Sequence, residues 1–185
     1  MKSKMILRGL LTLALIFFNL PVFAKLVTIS APPLYFYKYA LEWSIFIDQI
    51  KDPNNDPIII RWQGGGGLVH MGDDVIDVLD SVKYKVIIFD LIGDAWSMHA
   101  DTVCHGDNVI FNRHKIVFHP VDKGGVIQPT YDMIKENQIR MQGCIDQGLI
   151  TMDDVYKSSV HYEVHVTKRD GKVIKRYIVD PRRRI

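Results

Sequence analysis

Apolar and polar positions alternate along this chain with two distinct periods. Val75, Ile76, Leu79 and Val82 recur at i, i+1, i+4 and i+7, an apolar stripe that predicts a helix. Tyr131, Ile134, Met141 and Ile145 predict another over 130–147, and the segment 97–105 reads as a helix start. Short apolar runs at 26–29, 57–62, 86–91, 109–111 and 116–118 predict strands, the third ended by Gly93. The stretch leading to Ile50 mixes both periods through Leu41, Ile45 and Ile47, so its type stays open. Asp52-Pro53-Asn54-Asn55-Asp56-Pro57 marks a turn or loop, and 122–129, with Gly124-Gly125, marks another. Thr151-Met152-Asp153-Asp154 has the form of a capping box with Asp in place of Glu, opening a short helix. Alternating runs at 162–167 and 173–179 flank Arg169-Asp170-Gly171-Lys172 and predict a C-terminal β-hairpin. The succession strand, glycine turn, helix, strand, glycine turn, helix, strand predicts α/β layers with parallel pairing, in one domain over 25–185.

Residues 1–24 read as an address. Lys2, Lys4 and Arg8 precede an apolar run at 10–18, Asn19 and Pro21 break it, and Val22-Phe23-Ala24 offers a cleavage site. A signal peptide over 1–24 implies a periplasmic or secreted protein with no membrane attachment after cleavage. Of 185 residues, 48% are hydrophobic and 24% charged, a globular mixture that argues against extensive disorder. The formal charge is +2, which gives no electrostatic footprint for nucleic acid. Removing 1–24 leaves 20 basic against 21 acidic residues. The two cysteines, Cys104 and Cys144, show no Cys-x-x-Cys spacing. In an oxidising compartment they could form a disulfide, but sequence alone does not bring their Cα atoms within bridging range, and they read first as ordinary small buried residues. The tail Arg182-Arg183-Arg184 reads as a solvated terminus.

Three positions in succession invite chemistry. Gln63-Gly64-Gly65-Gly66-Gly67 separates a strand from a helix, and glycine lets backbone N–H groups approach a ligand oxygen. No Gly-Lys-Ser/Thr follows, which removes a phosphate-binding loop. Ser97 follows a strand at a helix N-terminus, where it serves either as a helix cap or as a nucleophile beside the amide of Met98. His119 ends a strand and is placed to act as a general base, or is simply a hydrogen-bonded histidine. His70, His99, His105 and His119, with Asp94 and Asp101, raise a metal site. The six-residue spacing of His99 and His105 does not share a helical face, however, and no metal or other cofactor is expected.

Gly66-Gly67 with Gly72, then Gly93-Asp94-Ala95-Trp96-Ser97-Met98, then Ile116-Val117-Phe118-His119 resembles the proteolytic subunit of the Clp protease in order and spacing. The resemblance covers about 57–120 and extends loosely through the helix at 130–147. It implies a Clp/crotonase-like ββα spiral and a serine peptidase acting on peptides or unfolded polypeptides, assembled as a homo-oligomeric ring. Ser97 would be the nucleophile, His119 the base, and the amides of Gly67 and Met98 the oxyanion hole. Gly65 stands where the family has Pro, Trp96 replaces a small residue, and His99 replaces a glycine. The family's third triad member, an Asp, aligns near Ser158, with Asp154 and Glu163 as nearby acids. That departure keeps open a non-catalytic interaction protein on the same fold. A crotonase-type acyl-CoA enzyme is disfavoured, because that chemistry needs no Ser–His pair.

Overall fold

The computed structural model describes residues 25–32, 40–67, 69–120 and 130–180. The expected signal peptide, the loop at 122–129 and the arginine tail lie largely or wholly outside them. Among the described residues the chain forms β1 (Lys25–Ser30), α1 (Ala40–Lys51), β2 (Asn55–Gly64), α2 (Val69–Ser81), β3 (Ile87–Trp96) and α3 (Met98–Val103). Then come β4 (Asn108–Ile110), β5 (Ile116–Phe118), α4 (Tyr131–Asp146), α5 (Met152–Val160), β6 (Tyr162–Arg169) and β7 (Lys172–Val179). All the strands belong to one mixed sheet in the order β1-β2-β3-β5-β6-β7, with β4 also lying along β3.

Pairing is parallel from β1 through β2 and β3 to β4 and β5, then antiparallel through β6 and β7. Period-two alternation decides which face is buried. Ile58, Ile60 and Trp62 of β2 and Ile87, Phe89, Leu91 and Ala95 of β3 point into the core, while Arg61 and Gln63 are exposed. Trp43, Phe46 and Ile50 of α1 join this core with Val75, Ile76 and Leu79 of α2. The ambiguous stretch before Ile50 is thus a helix from residue 40 onward, because Trp43, Phe46 and Ile50 follow a three-to-four-residue period.

Several expectations need correction. β3 does not end at Gly93. It runs on to Trp96 because Ala95 and Trp96 pair with Ile116 and Val117 of β5. The turn expected over 52–57 is shorter, since Asn55 already pairs with Lys25. Cys104 and Cys144 are not separate thiols but a disulfide, with Cα atoms 4.6 Å apart. Cys104 caps the C-terminus of α3, and Gly143 of α4 packs directly on its carbonyl, so two helices distant in sequence meet there. The capping box at Thr151 forms with Asp154 as its acid. The hairpin turns through Asp170 and Gly171, both at positive φ, as a two-residue connection requires.

Candidate functional site at the ends of β3 and β5

The site is built where β3 hands the chain to α3. The Ser97 N–H donates to the Val117 carbonyl at 3.0 Å, and the Ser97 carbonyl accepts from Ala100 and Asp101 at 2.7 and 3.0 Å. Ladder and helix therefore both claim this residue. The backbone answers with φ 55 and ψ −127, a conformation costing a side-chain-bearing residue about 1–3 kcal/mol. The Ser97 hydroxyl does not cap the helix, so the commoner role of serine at this location is not exercised.

What that hydroxyl faces is the glycine turn. Gly66 has φ +110, and a methyl group there would lie 3.1 Å from Ser97 Cβ and 3.5 Å from Oγ. Gly67 is the next residue. Met98, which opens α3, has one of the helix's first four amides, and these lack an intrahelical partner. Met98 is itself held by packing on Gly72 of α2.

His119 follows β5 by one residue. β5 lies parallel to β3, so the histidine leaves the sheet at the same end as Ser97. Its Nδ1 lies 3.0 Å from the Pro120 carbonyl oxygen. A carbonyl only accepts, so this bond requires the proton on Nδ1. In the neutral ring Nε2 is then the acceptor, as a general base needs.

The three candidates for a third member are engaged elsewhere. Ser158 is buried and donates to the Val155 carbonyl at 3.0 Å. Asp154 accepts from Thr151, from Lys175 and, at 2.7 Å, from Tyr177. Burial pushes the Asp154 carboxyl up, but the bonds from Lys175, Tyr177 and Thr151 together outweigh it and hold the group below its ordinary value. Glu163 is bonded to Nε2 of His165 at 2.9 Å.

An open groove of about 400 Å³ is lined by Gln63, Gly64, Gly65, Asp94 and Trp96, residues that precede Gly66 and Ser97 in the chain. Trp96 is one wall. Lys115 Nζ sits 4.9 Å from its ring centroid and His165 meets it edge-on at 5.5 Å. Trp96 therefore shapes this groove, while His99 is turned away from solvent and buried.

Sequence reasoning weighed Asp101 only beside the candidate metal ligands, although its position four residues after Ser97 was visible. It is buried, and burial pushes its carboxyl up to about 7, an effect opposed by Arg140 and reinforced by Asp73. Arg140 bonds Asp73 at 3.1 Å and Glu136 at 2.9 Å, tying α4 to α2 over this carboxyl. Among the described residues no three His, Cys, Asp or Glu side chains converge so as to hold a metal ion. No protein-family model matches the chain, and none of the curated proteins is similar to it in sequence.

Proposed function

We propose that the chain is a serine hydrolase that cleaves peptide bonds with Ser97 as nucleophile and His119 as base. The observation that carries this reading is Ser97 itself. It has a strained backbone at a strand-to-helix turn, its hydroxyl does not cap the helix, and that hydroxyl faces a glycine turn. Strain of this kind is retained where the surrounding structure over-determines it, and such residues cluster at active sites.

In this mechanism Ser97 Oγ attacks the scissile carbonyl carbon as its proton passes to Nε2 of His119. The resulting oxyanion is met by the amides of Gly67 and Met98, and the C–N bond then breaks as the imidazolium returns the proton to the leaving amine. Water, deprotonated by the same imidazole, hydrolyses the acyl-serine and restores the hydroxyl. The Pro120 carbonyl orients the ring through Nδ1, a part an acid plays in a triad. Substrates are peptides or unfolded polypeptides lying along the Gly64–Trp96 groove. The wider reading is an exported domain with a Clp/crotonase-like spiral, acting as a homo-oligomeric ring.

Incubation with an unfolded polypeptide tests this. Cleavage by the wild type should fall on the order of 10³-fold or more in both Ser97→Ala and His119→Ala. Equal cleavage by Ser97→Ala rejects the assignment. A non-catalytic binding module on the same fold is the second reading. The observation favouring it is that Ser158, Asp154 and Glu163 are all bonded to other groups. It predicts a folded wild type that cleaves nothing.

A further inference from the structure

His99 is a buried side chain near Ser97 with no use in the mechanism above. It is 1% exposed, and neither ring nitrogen makes a hydrogen bond of good geometry, the nearest backbone partner being Gly66 of the glycine turn. Such a group calls for an explanation, because leaving it unbonded inside the protein is costly.

Its surroundings supply one. The ring lies against Gly64, and a methyl group on Gly64 would fall 2.1 Å from Nε2 and 2.4 Å from two ring carbons. The ring therefore fills the space where any other residue at 64 would put its Cβ. On another side it packs on Trp62, ring centroids 5.1 Å apart. The Trp62 indole N–H donates to the His99 carbonyl at 2.9 Å, so backbone and ring are both fixed against β2. Two residues along the turn, Gly66 presses on Ser97. The glycine turn is thus held at two points by two residues at the start of α3, Ser97 at Gly66 and His99 at Gly64.

We propose that His99 is a positioning residue that sets the spacing between the glycine turn and the Ser97 hydroxyl, acting as the steric complement of Gly64. This rests on the hydrolase reading for its catalytic consequence, since it fixes where the Gly67 amide stands relative to Oγ. A buried imidazole suits the task because it is flat, and it stays neutral in ordinary conditions, burial outweighing the backbone of Gly66 and holding its pKa down to about 4. The same geometry explains why a histidine at this position does not crowd the groove, which lies along Gly64 and Gly65.

The test uses a fluorophosphonate probe on the full chain, separating the maximal labelling rate from probe affinity, with thermal melts on every sample. Gly64→Ala should lose labelling rate by about 10²-fold, because a misplaced active-site group costs that much. His99→Ala should lose about 10-fold as the turn slackens. The double variant Gly64→Ala/His99→Ala should label faster than Gly64→Ala alone and melt higher, because the space the ring vacates accepts the methyl. Affinity for the probe should change little throughout. A double variant no better than Gly64→Ala in either measurement overturns the proposal. So does a His99→Ala that melts lower yet labels at the wild-type rate, since that is a merely structural role. A wild type that melts cooperatively but takes no label rejects the hydrolase reading instead. In that case the melts of the four proteins still decide whether the two residues are complementary.

Discussion

Breaking the Cys104–Cys144 bridge is the perturbation whose size follows most directly from the topology. The two residues are 40 positions apart, and between them lie β4, β5, His119 and most of α4. Closing a loop of about 40 residues removes roughly 13 cal/mol/K from the unfolded ensemble, or about 4 kcal/mol at 25 °C on the chain-entropy account. Both residues are fully buried, so Cys104→Ala/Cys144→Ala also loses the sulfur packing, a further ~1 kcal/mol. A domain of roughly 150 residues unfolds with an entropy of about 0.3 kcal/mol/K, so the bridge alone shifts the midpoint by about 12 °C. Melts of oxidised, reduced and double-Ala protein, with thiol titration to prove reduction, measure this. A fully reduced protein that melts at the oxidised midpoint would refute the reasoning.

Two buried groups give opposing pH dependences. The fold raises the Asp101 pKa from 3.8 to about 7, so the folded protein holds that proton more tightly, and the stability it contributes is full below about pH 4 and lost as pH rises towards 7. The fold lowers the His99 pKa from 6.5 to about 4, so stability rises with pH across that interval. Urea midpoints of Asp101→Asn should therefore rise between pH 4 and 6.5, and a flat profile contradicts the assignment. Gly143→Ala puts a methyl 1.8 Å from the Cys104 carbonyl oxygen. Overpacking against backbone costs about 1–3 kcal/mol or more, so its melt should fall well below the wild type's. Trp62→Phe removes the donor to the buried His99 carbonyl, and equilibrium unfolding should show a loss of about 1–3 kcal/mol.

Local signals carried much of the fold. Val75, Ile76 and Leu79 made α2 visible, and Asp170-Gly171 made the hairpin visible, because both patterns are satisfied by neighbours in sequence. Gly93 misled because glycine punctuates loops by default. Here its missing side chain leaves room for Gln63 from the adjacent strand, and pairing with β5 carries β3 past it. The disulfide was not legible for a similar reason, since its two ends meet only once α3 and α4 are packed. At the site, residue types and order flagged Ser97, His119 and the glycine run. The backbone strain at Ser97 and the burial of His99 under Gly64 depend on through-space contacts that no spacing encodes. The engagement of Asp154 was half visible, its capping box being local and its bonds to Lys175 and Tyr177 not.

The account depends on a reactive hydroxyl at Ser97. Peptide mapping by mass spectrometry after fluorophosphonate treatment should find the adduct on the peptide containing Ser97, on the wild type and not on His119→Ala. A folded protein with no adduct, or an adduct on another serine, would contradict it.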